Sequence, residues 1–194
     1  MINIEVQRPA GESSNEAGFR HRRLPTIQNM LYAYLACLFP IQVWSIYNLL
    51  KEVPAWVLQM NAWELLGTIA YTQMFVLFES IVIFLPFVVL SALLPASWLR
   101  ARFVALTTAI VYLSAGWSIL AHTYNVTFIT RGAGILLPWI GLFIISQVFF
   151  HILFRSNRKI EAAILWFVNR IAILAAVYLL VDLLAVLIVI LRNV

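Results

Sequence analysis

AAILWFVNRIAILAAVYLLVDLLAVLIVIL, residues 162–191, is a long apolar run whose only strongly polar members are Asn169, Arg170 and Asp182. An α-helix rises about 1.5 Å per residue, so a helix over this run is longer than the roughly 30 Å thickness of a bilayer's hydrocarbon layer. The run therefore predicts a transmembrane helix, and we expect the other apolar segments of the chain to lie in the lipid bilayer as well.

The composition of the whole chain supports this interpretation. Hydrophobic residues make up 63% of the 194 residues and charged residues 11%, and the mean hydropathy is +0.94. These values are typical of polytopic integral membrane proteins and exclude an ordinary soluble domain. The net charge of +5 comes from basic residues that flank apolar segments, so it indicates membrane topology and no nucleic-acid partner. The single cysteine, Cys37, lies inside an apolar run and cannot form an internal disulfide.

The apolar segments predict an all-α fold, a bundle of five transmembrane helices. Residues 1–28 are polar and basic and are expected to form a cytoplasmic tail, whereas residues 29–194 form one membrane domain. The connection over residues 51–64 is predicted to lie in the membrane interface as an amphipathic segment, with Trp56 and Trp63 at headgroup depth. The expected spans are residues 29–50, 65–94, 103–122, 133–154 and 162–191.

The distribution of basic residues predicts the orientation of the spans. If the N-terminus is cytoplasmic, most of the arginines and lysines outside the spans face the cytoplasm, namely Arg8, Arg20, Arg22, Arg23, Arg100, Arg102, Arg155, Arg158 and Lys159. Only Lys51, Arg131 and Arg192 then face outward. Because cytoplasmic loops carry the excess of basic residues, we predict an N-in, C-out protein of a bacterial cytoplasmic membrane.

Polar residues inside the spans are the candidate site residues. An ionised group within a bilayer is costly, so each needs a partner, an interfacial position or a neutral form. Arg170 and Asp182 are twelve residues apart, which is about 18 Å along one helix and about 120° around it, so they cannot pair with each other. Their partners must come from another helix or another chain. The candidates are Glu79, Arg170, Asp182, Thr72 and Gln147.

Two interpretations of the acidic residues remain open. Glu79 and Asp182 could be stations of a proton or cation route through the membrane. Alternatively, they are isolated neutral acids, hydrogen-bonded to Thr72, to Tyr178 or to a partner subunit. One acid on each of two helices is little for a pathway, so we favour the second interpretation.

His122 and His151 are candidate ligands for a pigment or another cofactor. His122 is expected at the outer end of the third helix and His151 near the inner end of the fourth. An internal haem held by both histidines is therefore not expected, although bound lipid is. The sequence contains no HExxH or CxxC metal motif, no GxSxG nucleophile motif and no Walker lysine loop. We predict no catalytic residues and no metal site.

These patterns favour a non-catalytic membrane subunit, an accessory or assembly component that packs against other membrane subunits within the lipid bilayer. A small ion-coupled or proton-coupled transporter or channel that uses Glu79 and Asp182 is the first alternative. A membrane anchor for a separately encoded envelope enzyme is the second, and it has architecture alone in its favour.

Overall fold

The computed structural model describes residues 25–93, 102–125 and 133–194. The described chain forms helices α1 Ile27–Gln59, α2 Ala62–Leu93, α3 Phe103–Thr123, α4 Ala133–Ser156 and α5 Arg158–Asn193. All five are long and apolar enough to cross a membrane, which confirms the predicted all-helical fold and the expected number of candidate spans. Most of the predicted cytoplasmic tail, residues 1–24, lies outside the described residues, as do Arg100 and Arg131.

Helix α1 is longer than the sequence pattern predicts. It continues through Pro40 and Pro54 to Gln59, although each proline removes one backbone donor from the helix. The loss of a single hydrogen bond does not end a helix whose neighbouring residues keep their own bonds. Trp56 therefore lies on α1 and Trp63 on α2, and the separate interfacial segment expected over residues 51–64 is not formed.

Polar side chains define where α2 and α5 begin. The amide of Glu64 donates to Asn61 Oδ1 over 2.8 Å, and the amide of Asn61 donates to Glu64 Oε2 over 3.0 Å. This reciprocal pair is a capping box. The amide of Lys159 donates to Asn157 Oδ1 over 3.0 Å, so α5 begins at Arg158 rather than at the first residue of the apolar run.

Helices α1, α2 and α5 pack together around small side chains. Ala70 of α2 packs in one cluster with Ala185 and Val189 of α5. Leu35 of α1 packs in another with Ala172 and Ala175 of α5. Alanines at helix contacts let backbones approach closely, which is the usual way membrane helices associate.

The ends of α2 and α5 also meet closely. Gly67 has no side chain, and the guanidinium group of Arg192 occupies the place where a Cβ atom would stand. Arg192 Nη1 donates to the carbonyl oxygen of Trp63 over 3.2 Å. The start of α2 therefore lies beside the end of α5, so these two helices are antiparallel.

Helix α4 is the most peripheral of the five. None of its described side chains is buried, and it contacts both α3 and α5. The ring of Trp117 on α3 meets Trp139 edge-on at 4.7 Å between centroids, and Trp117 Nε1 donates to Ser146 Oγ over 3.0 Å. Gln147 Nε2 donates to Ser114 Oγ over 3.2 Å. A short seam of aromatic and polar contacts therefore attaches α4 to the bundle.

Candidate functional site

Asp182 lies on the face of α5 that packs against α1, and its side chain is fully buried. Gln42 of α1 donates a hydrogen bond from Nε2 to Asp182 Oδ1. The partner that the sequence analysis sought on another helix is therefore Gln42. Thr72, one of the partners suggested from the sequence, instead donates from its hydroxyl to the carbonyl oxygen of Thr68 in its own helix, over 2.9 Å.

Gln73 of α2 lies at nearly the same level of the bundle as Asp182. Ala70 packs in one cluster with Ala185 and Val189 of α5, and α2 and α5 are antiparallel. One turn further along α2, Gln73 therefore lies at the level of the stretch of α5 from Asp182 to Ala185. Gln73 is buried like Ala70, so its side chain belongs to the interior where α1, α2 and α5 meet.

Four buried polar residues of α1, α2 and α5 thus lie at neighbouring levels of the bundle, and we call them the Asp182 cluster. Ser45 follows Gln42 by one turn on α1. The exposed fractions of the four side chains are 1% for Gln42, 8% for Ser45, 6% for Gln73 and 0% for Asp182. A polar group of this kind occurs rarely inside an apolar bundle, because an unpartnered buried polar atom costs about 1–3 kcal/mol.

Several oxygens of the Asp182 cluster have no hydrogen-bond partner. They are Ser45 Oγ, Gln73 Oε1 and Asp182 Oδ2. Within the described part of the chain no basic side chain forms an ion pair with Asp182; the ion pair found there joins Arg102 Nε to Glu161 Oε2 over 3.2 Å. The Asp182 cluster therefore presents free acceptor oxygens without a neighbouring positive charge.

Tyr34 and Ser80 form a further polar contact between α1 and α2. Their hydroxyl oxygens are 3.0 Å apart, and the Ser80 hydroxyl also donates to the carbonyl oxygen of Leu77 over 2.7 Å. The Tyr34 ring packs edge-on against Phe84, with 5.5 Å between centroids. These groups are paired, in contrast to the oxygens of the Asp182 cluster.

Glu79 lies on the outer surface of α2, away from the Asp182 cluster. Its side chain is exposed and has no hydrogen-bond or ion-pair partner among the described residues. Phe75, Phe78 and Val82 surround it, and they are exposed as well. The position is about 26 Å from the start of α2 and about 21 Å from its end, measured along the helix axis. A carboxyl group therefore sits in the middle of an outward-facing apolar surface.

Arg170 is exposed on α5. Its guanidinium carbon lies 5.3 Å from the centroid of the Trp166 ring, one turn earlier in the same helix. This cation–π contact covers one face of the charged group. The structure keeps Arg170 apart from both Asp182 and Glu79.

The two histidines lie in different surroundings. His122 packs edge-on against Trp44 of α1, with 5.2 Å between ring centroids. His151 is exposed and borders an open apolar groove between α3 and α4, to which Gln147 and Phe143 also contribute. No group of three or more His, Cys, Asp or Glu residues that could hold a metal ion occurs in residues 25–93, 102–125 and 133–194.

Sequence reasoning missed Gln42, Ser45 and Gln73. The two glutamines carried a signal, because each is an amide within an apolar helix, as Gln147 is. What the sequence could not give was their convergence with Asp182, since Gln42 and Asp182 are 140 residues apart. Comparisons of the chain with protein families, with curated proteins and with solved structures found no match.

Proposed function

We propose that this chain is a non-catalytic membrane subunit that binds another membrane protein through the outer face of α2. The observation that carries the proposal is Glu79, an exposed carboxyl group without a partner at the middle of an apolar helix. We also propose that the chain lies N-in, C-out in a bacterial cytoplasmic membrane, because its basic residues cluster on one side of the spans.

The lipid environment gives Glu79 its significance. A charged side chain at the centre of a bilayer costs about 2.5–3.5 kcal/mol on insertion scales, and lipid tails offer no hydrogen bond to offset this. A transmembrane helix of a partner with a hydrogen-bond donor or a cationic group at the same depth removes the penalty. Polar residues in membrane helices contribute to association in this way.

The residues around Glu79 suit helix packing. Phe75 precedes it by one turn and Val82 follows it by nearly one turn, so the three lie along one side of α2. Phe78 is exposed beside them. A partner helix laid along this stripe would bury the two aromatic rings and Val82 while it satisfied the carboxyl group.

Glu79 and Asp182 occupy separate environments, which bears on the transporter alternative. Asp182 is enclosed by α1, α2 and α5, whereas Glu79 faces outward from α2. A route through the membrane that uses both acids would have to join these two environments. The anchor alternative gains no specific support from the arrangement of the helices.

The test is co-purification in a mild detergent with variants at Glu79. The tagged wild-type chain is expected to bring down a membrane protein that Glu79→Leu loses, because leucine cannot accept a hydrogen bond. Glu79→Gln keeps an acceptor and is expected to retain part of the binding. Ile173→Leu, at an exposed position of α5, is the matched control and should behave as wild type.

Two outcomes contradict the proposal. One is a wild-type chain that is stable and monodisperse alone and brings down no partner. The other is a partner that Glu79→Leu retains at the wild-type level. The orientation is tested separately by placing a cysteine at Asn157 in a Cys37→Ala background, where labelling by an impermeant reagent from outside the cell would overturn it.

A further inference from the structure

Three buried oxygens of the Asp182 cluster have neither a hydrogen-bond donor nor a cationic side chain as a partner among the described residues. Asp182 Oδ2, Gln73 Oε1 and Ser45 Oγ have no partner, and their side chains are more than nine-tenths buried. They come from α5, α2 and α1 and lie within about one helical turn of a common level. Carboxylate, amide carbonyl and hydroxyl oxygens are the ligands that hard cations take, and here three such oxygens are buried without a partner on three packed helices.

Gln42 gives the cluster a fixed geometry. Its Nε2 donates to Asp182 Oδ1, which holds the carboxyl group and leaves Oδ2 as the free oxygen. The cluster contains one carboxyl group, and no basic side chain of the described chain pairs with it. A single positive charge therefore balances the site, which favours a monovalent ion over a divalent one.

We propose that the Asp182 cluster binds one monovalent metal cation through Asp182 Oδ2, Gln73 Oε1 and Ser45 Oγ. Gln42 acts as a positioning residue for the carboxyl group. The cation takes the place of the hydrogen-bond donors that the three oxygens lack, and it links α1, α2 and α5 near the middle of the bundle. This site is independent of the partner surface at Glu79, so a failed co-purification leaves it standing.

The experiment follows thermal unfolding of the full chain in detergent through the reaction of Cys37 with a thiol-specific fluorogenic dye. Cys37 is fully buried in the folded chain, so the dye reports unfolding. The buffer contains sodium, potassium or lithium chloride, or choline chloride at equal ionic strength and equal pH. At least one metal chloride is expected to raise the unfolding midpoint of the wild type above its value in choline, increasingly with concentration.

Variants localise the effect. Asp182→Asn should abolish the metal-dependent shift. Ser45→Ala should require about tenfold more salt for the same shift, which corresponds to a loss of about 1.4 kcal/mol in the binding free energy of the cation. Ser91→Ala is the control for Ser45, because the buried Ser91 hydroxyl donates to the carbonyl oxygen of Val88 in its own helix. Glu52→Gln, at an exposed position of α1, is the control for Asp182. Both controls should keep the wild-type response.

Equilibrium dialysis against the most stabilising metal, read by atomic emission, then gives the amount bound to each chain. The proposal is overturned if the wild type unfolds at the same midpoint in all four salts, as it would if bound water or a proton on Asp182 satisfied the oxygens. It is also overturned if the metal response survives in Asp182→Asn. Should Asp182→Asn fail to fold, an unchanged response in Ser45→Ala overturns the proposal equally.

Discussion

Replacing Gln42 by leucine should destabilise the bundle more than replacing Gln42 and Asp182 together. In the single variant, Asp182 loses the hydrogen bond that the structure gives it and keeps both carboxyl oxygens buried without a partner. Stranding a buried polar group costs about 1–3 kcal/mol, and more for a charged one. That exceeds the roughly 0.6 kcal/mol that removal of an average hydrogen bond costs inside a membrane protein.

The double variant Gln42→Leu/Asp182→Leu removes the donor and the acceptor together. Two leucines restore apolar packing in a space enclosed by apolar helices, so the net change should be small. We expect a loss of about 2 kcal/mol for Gln42→Leu and an interaction energy between the two sites within the roughly 0.5–3 kcal/mol seen for residues in contact. A loss of this size lowers the midpoint of a chain of this length by roughly 4–8 °C.

The assay is thermal unfolding read by the reactivity of Cys37, in choline chloride so that metal cations do not contribute. The wild type, both single variants and the double variant are compared under the same conditions. Ser91→Ala provides a control at a buried polar position outside the cluster. A Gln42→Leu variant that unfolds at the wild-type midpoint would contradict this prediction, as would a double variant that loses the full sum of the two single effects.

Two further predictions concern the periphery of the bundle. Trp117→Phe removes the donor to Ser146 but keeps an aromatic ring, so backbone hydrogen exchange should quicken in α4 and stay unchanged in α1, α2 and α5; equal exchange in all helices would contradict a separate α4 seam. Glu161→Gln breaks the partly exposed ion pair with Arg102 and should cost no more than about 1 kcal/mol, an effect that high salt reduces. A larger, salt-independent loss of stability in thermal unfolding would show that this pair contributes more than a surface bridge.

The helical class and the number of spans could be predicted from the sequence because apolar length alone decides them. The helix ends could not be predicted as well. Lys159 and Glu161 are charged but lie in the first turn of α5, where Asn157 caps the helix. The first span was expected to end at residue 50, whereas α1 continues through Pro54 to Gln59. Caps and local backbone bonds decide such limits, and hydropathy does not record them.

The candidate site was less accessible to prediction. Glu79 and Asp182 look alike in the sequence, since each is one acid within an apolar helix. A helix that is apolar all round has no periodicity to show which side faces the bundle. The structure separates the two acids, with Asp182 buried beside Gln42 and Glu79 exposed. Only the packing of α1, α2 and α5 carries that information.

The most direct test of the proposed function is photo-cross-linking from the α2 face in intact membranes. A photoreactive phenylalanine analogue replaces Phe78, beside Glu79, and in a separate chain it replaces Ile173 on α5 as the control. We expect the analogue at position 78 to capture a transmembrane segment of another membrane protein with a hydrogen-bond donor at that depth, and Glu79→Leu to abolish this adduct. The analogue at position 173 should capture lipid. Lipid adducts alone at Phe78, or adducts only with a second copy of this chain, would contradict it.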